Sequence, residues 1–109
     1  MSHYFPTDSE FGHRMIFEHV KISTCAGDHM QFSIAEIAPH GVVPSHSHVN
    51  EQMGIMLSGK LKFTIADETK VMVPGDVYRI PGGVVHSVEA LDEPVKILDV
   101  FYPIREEYR

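Results

Sequence analysis

Short runs in which apolar and polar residues alternate, separated by glycine, proline or acidic turns, dominate this chain. Met30-Gln31-Phe32-Ser33-Ile34-Ala35-Glu36-Ile37 alternates cleanly and stops before Pro39, and Lys60-Leu61-Lys62-Phe63-Thr64-Ile65 does the same. Strand side chains point to opposite faces in turn, so such runs predict half-buried strands. Residues 15–22, rich in β-branched and aromatic side chains, are parted from the first of these by Ala26-Gly27-Asp28, which predicts an antiparallel pair. A nearly continuous apolar run at 53–57 and shorter ones at 69–73, 77–80, 84–91 and 94–102 complete the set, with turns at Ser58-Gly59, Asp67-Glu68 and Pro74-Gly75-Asp76. Residues 1–15 read as an irregular arm and 104–109 as a tail with a short helical turn. About eight strands at roughly 8–12-residue spacing, without a long helix, predict an all-β sandwich or barrel. At 109 residues the expectation is one domain, and a barrel with an open mouth would leave a cavity.

Composition narrows the partners. The net charge of −6 and the scattering of the nine basic residues oppose nucleic acid and anionic lipid. No apolar run nears the roughly 20 residues of a membrane helix, and no basic-then-apolar leader opens the chain. Cys25 has no second cysteine to bond. Together these lead to the expectation of a cytoplasmic protein.

The chemistry concentrates in His46-Ser47-His48-Val49-Asn50-Glu51-Gln52 and in Pro81-Gly82-Gly83-Val84-Val85-His86. Histidines two apart on an extended segment share a face. Three imidazoles and the Gln52 oxygen, drawn together by a closed sheet, make a set for a divalent transition metal. Glu51 is the rival oxygen donor, but alternation turns it to the opposite face. His3, His13, His19, His29 and His40 lack such register and read as exposed or hydrogen-bonded. Gly82-Gly83 reads as a turn tolerating positive φ rather than a phosphate loop, because no helix follows. Met53, Met56 and Phe63 read as core.

These spacings resemble the two motifs of the cupin superfamily. The first motif (His-x-His, three residues, Glu or Gln, six residues, Gly) is matched by His46, His48, Gln52 and Gly59; the second (Gly, five residues, Pro-x-Gly-x-x-His) by Gly75, Pro81, Gly83 and His86. Fifteen residues, 60–74, part them, and the resemblance covers about 30–103. It implies a double-stranded β-helix, or jelly-roll barrel. Gly41 stands one residue nearer the histidines than usual, and Ala90 stands where Asn is common; neither would be a metal ligand. Gln52 replaces the commoner Glu, so a neutral donor set leaves the ion its full charge, which suits a Lewis acid.

The ending Asp99-Val100-Phe101-Tyr102-Pro103-Ile104-Arg105 is similar to that of the pectin-degradation (KdgF-like) cupins, which open the ring of 4,5-unsaturated uronates. That resemblance implies His46, His48, Gln52 and His86 as ligands of one Zn, Ni, Mn or Fe ion. It also implies Asp99, with Phe101 and Arg105 beside it, as catalytic residues on an anionic sugar acid from pectin or alginate. Alternation sets Asp99 on one face with Ile97 and Phe101. Burial would raise the Asp99 pKa and a nearby cation would lower it, and sequence does not order the two. Plainer readings stand beside these: Asp99 bonded to backbone or paired with Arg79, Arg105 in a surface salt bridge, Phe101 as core. A metal-dependent dioxygenase and a non-catalytic sugar- or metal-sensing module are the rival functions. Exposed edge strands lead to the expectation of a homodimer, with residues 1–22 pairing across subunits.

Overall fold

The computed structural model describes residues 3–5 and 10–109, and among these it is almost wholly β. In chain order the strands are β1 (Gly12–Phe17), β2 (Val20–Ala26), β3 (Gln31–Ile37), β4 (Val42–His46), β5 (Glu51–Ser58), β6 (Leu61–Ile65), β7 (Glu68–Met72), β8 (Val77–Ile80), β9 (His86–Ala90) and β10 (Val95–Tyr102). A single 3-10 turn, Glu106–Tyr108, follows. Six strands form one sheet in the order β1-β2-β3-β10-β5-β8, and four form the other in the order β4-β9-β6-β7. Every pairing is antiparallel. This is the expected jelly-roll arrangement. No helix among the described residues is long and apolar enough to cross a membrane.

Alternation decides what lies between the sheets. β10 buries Val95, Ile97, Asp99 and Phe101 and turns Lys96, Leu98, Val100 and Tyr102 outward. The inward rows supply the core, with Val20, Ile37, Met56, Leu61 and Ile80 each at most 2% exposed. Met56 and Phe63 are core as expected, but Met53 is 49% exposed. Gln52 points inward, and its neighbour on the same strand must therefore point out.

Two stretches differ from the sequence reading. The residues 15–22 are not one strand: β1 starts at Gly12, inside the expected arm, and a turn at Glu18-His19 folds it back on β2. His19 takes a positive φ of 67° there, and its carbonyl accepts from Ala38 N at 2.9 Å. That turn carries no glycine or proline, so nothing in the apolar run announces it. The rest of the arm lies partly outside the described residues. β4 was hidden for the opposite reason, because Pro44 interrupts it; the strand is an edge, where a missing N–H costs no ladder bond.

Candidate metal centre

The histidines converge from a strand pair and the loop beside it. His46 ends β4 and pairs directly with His86, the first residue of β9. His48 lies past the end of β4, so the connection to β5 brings its ring to the others, and not the strand alternation that the spacing suggested. Gly82 keeps that connection close to the 81–83 turn, since a Cβ on it would run into the Val49 carbonyl. Gly83 has a φ of +83° and donates to the His48 carbonyl at 2.7 Å.

Each ring is held in the same way. The Nδ1 atoms of His46, His48 and His86 bond the carbonyls of Pro44, Asn50 and Val84 at 2.9, 3.0 and 2.9 Å. A carbonyl only accepts, so each Nδ1 carries a proton, which leaves Nε2 as the ring atom that can offer a lone pair. The three rings can offer ligand atoms within 4.8 Å of one another. Burial, reinforced by the neighbouring rings and Arg105 against the Val84 carbonyl, pushes His86 down to about 4. Burial, with Arg105 second, lowers His48 as well. Both are therefore neutral at pH 7, the form that binds metal.

The donor set fits a cation on two counts. His86 Nε2 is buried with no hydrogen-bond partner among the described residues, a costly state for a polar atom. His48 Nε2 stands 3.0 Å from Gln52 Oε1, which sets two acceptors against each other unless a cation satisfies both. Gln52 is 6% exposed while Glu51 points outward, so the rival oxygen is turned away.

Gln52 also reaches Asp99. Its amide draws the Asp99 carboxyl toward the ionised form, and since its oxygen faces His48 the amide nitrogen is the group turned to Asp99. Asp99 is 7% exposed. Burial raises it to about 7, against the opposing pull of Gln52 and then Arg105. Its other partner is the hydroxyl of Tyr78, which donates to Oδ1. Arg79, the partner considered from sequence, lies exposed on the outward row of β8. Neither Tyr78 nor Gly54, which lies between it and Asp99, carries a signal in the sequence, because their meeting depends on strand order.

Arg105 is no surface residue; its side chain is 11% exposed. Its Nε donates to Glu107 Oε1 at 2.9 Å, and its guanidinium lies 4.2 Å from the Tyr108 ring centre and 5.2 Å from that of Phe101. Buried Gln31 clamps the Arg105 backbone, accepting from its N–H at 3.0 Å and donating to its carbonyl at 3.4 Å. Phe101, 3% exposed, packs its ring 5.6 Å from that of His48. A cavity of about 300 Å³ is lined by His46, Gln52, His86, Tyr78, Asp99, Phe101 and Arg105 together with apolar side chains from both sheets. That is the low end of small-ligand cavities. None of His3, His13, His19, His29 or His40 lines it.

Residues 33–101 match the family model described as Cupin domain. This chain is a cupin. It is 26% identical over 89 residues to the pectin degradation protein KdgF of Dickeya dadantii (strain 3937), a match covering 81% of this chain and 80% of that one. An uncharacterised protein of Streptomyces coelicolor is 30% identical over 56 residues, about half the length of each, 51% of this chain and 53% of that one. Among solved structures, KdgF from Halomonas sp. superposes with a TM-score of 0.85 at 19% identity, covering 97% of this chain and 98% of that one. The likeness to that structure is one of fold.

Proposed function

We propose that this cupin opens the ring of 4,5-unsaturated uronate monosaccharides to the linear keto form. The observation that carries the reading is the placing of a buried carboxyl, Asp99, against the Gln52 amide whose oxygen faces the histidine cluster, in one cavity with Arg105. The similarity to a pectin degradation protein supports the substrate class.

His46, His48, Gln52 and His86 would hold one divalent ion of Zn, Ni, Mn or Fe. When bound, such an ion supplies Lewis acidity to substrate oxygens. Arg105, beside the rings of Phe101 and Tyr108, pairs with the sugar carboxylate as a planar fork. Asp99 takes the proton of the anomeric hydroxyl; a carboxyl near 7 accepts a proton at neutral pH and gives it up again readily. The bond from the anomeric carbon to the ring oxygen then breaks, and a proton added to the alkene carbon completes the keto form. The apolar lining limits water in the cavity. The assembly is a homodimer. β1 pairs with β2 on one side and is the edge of the larger sheet among the described residues, so residues 1–22 would meet the partner subunit there. Light scattering at twice the chain mass is expected.

The test is product identification. Unsaturated monouronate incubated with the zinc-loaded protein should give aldehyde and methylene proton resonances by nuclear magnetic resonance. Zinc is redox-silent, so turnover with zinc also separates this reading from oxygen chemistry. Turnover only with iron and oxygen would replace it by a dioxygenase.

A further inference from the structure

Asp99 and Tyr78 meet although a whole strand lies between them. β5 runs between β8 and β10, and Gly54 on it is paired with Tyr78 on one side and Asp99 on the other. Neighbouring strands are about 4.8 Å apart, so side chains two strands apart do not ordinarily touch. Here the intervening residue has no side chain, and a Cβ on Gly54 would overlap the Tyr78 ring and hydroxyl and crowd the Asp99 carboxyl. Through that gap the Tyr78 hydroxyl donates to Asp99 Oδ1. Tyr78 is 7% exposed, lines the same cavity as His46, His86 and Arg105, and has its ring fixed 4.5 Å from that of Phe63.

Ring opening to a ketone moves one proton between two separated atoms of the sugar, from the anomeric hydroxyl to the alkene carbon not bonded to the ring oxygen. A single carboxylate would have to serve both places. We propose that Tyr78 is the proton donor to that alkene carbon, and that its contact with Asp99 returns the proton which Asp99 has taken. The inference rests on the ring-opening reading above. Asp99 accepts the hydroxyl proton, the carbonyl forms at the anomeric carbon, and the electron pair of the breaking bond goes to the former ring oxygen as an enolate. Tyr78 gives its proton to the alkene carbon as the ketone forms, and protonated Asp99 restores the Tyr78 hydroxyl across the existing hydrogen bond. No proton is gained or lost.

The experiment is turnover of unsaturated monouronate in deuterium oxide by wild type and Tyr78→Phe, read by nuclear magnetic resonance in the first turnovers before solvent exchange. Wild type is expected to place deuterium on one face of the alkene carbon. Tyr78→Phe, with metal content and thermal midpoint measured on the same material, should still form aldehyde. Its carbon–deuterium bond should form about 10²-fold more slowly and divide between both faces. One-face delivery by Tyr78→Phe, at any rate, overturns the donor role, since Tyr78 would then only position Asp99. Two-face delivery by wild type overturns it without the variant. A wild-type protein that leaves the sugar unchanged removes the ring-opening reading itself, and the inference with it.

Discussion

Gln52 faces two ways at once, and that explains an amide where a carboxylate would bind a cation more strongly. Its oxygen opposes His48 Nε2 at 3.0 Å while its nitrogen is turned to Asp99, whose ionised form it favours. A Gln52→Glu variant should keep its metal by elemental analysis, but it sets a like charge against Asp99 and should lose on the order of 10-fold or more in turnover. Asp99→Asn should also keep its metal and fall by about 10²–10⁴-fold. The buried carboxyl has a stability consequence too. Folding raises Asp99 from 3.8 to about 7, so its favourable contribution is complete below about 4 and is lost as pH climbs to 7. His86, lowered from 6.5 to about 4, acts in the opposite sense, contributing above 6.5 and losing as pH falls. In metal-free protein, the thermal midpoint of Asp99→Asn minus that of wild type should therefore rise steadily from pH 4 to pH 7. A flat difference would mean that the charge is not buried.

At the scale of elements, β5 joins the site to the fold. Gln52 faces the cluster, and two residues on Gly54 opens the gap for Tyr78 and Asp99. Gly54→Ala should cost about 1–3 kcal/mol in denaturant unfolding by overpacking, and by breaking the Tyr78–Asp99 contact it should slow protonation of the alkene carbon as Tyr78→Phe does. Much of this level was legible in the chain. Alternation at 94–102 placed Asp99 and Phe101 inward, and the two histidine motifs fell on the residues that the fold brings together. What alternation could not convey was pairing. Tyr78 shares an inward row with Ile80 and reads as core until β8 is known to border β5. The β1–β2 hairpin turns on a histidine, and β4 tolerates Pro44 because it is an edge, so neither carried its usual punctuation.

For the molecule as a whole, the candidate donors come from both sheets, His46 and His86 from the smaller and Gln52 from the larger. A cation held there would tie the sheets together, so binding would also stabilise the fold. At a free metal concentration 100 times Kd the gain is about 2.7 kcal/mol. Through about 4–8 °C per kcal/mol, it should raise the thermal midpoint on the order of 10–20 °C over chelated protein by scanning calorimetry. The chain carries −6 overall, so an anionic sugar must be drawn by local charge, which Arg105 and the ion would provide. Replacing Arg105 with Ala should accordingly raise KM for the sugar acid by about 10-fold or more, while metal content stays constant. The central claim, a metal-dependent proton transfer at Asp99, is tested most directly by the ultraviolet absorbance of the conjugated alkene during incubation with unsaturated monouronate. Absorbance should fall with metal-loaded protein, stop on adding chelator and resume on restoring zinc, whereas loss of absorbance at an equal rate in metal-free protein would contradict the account.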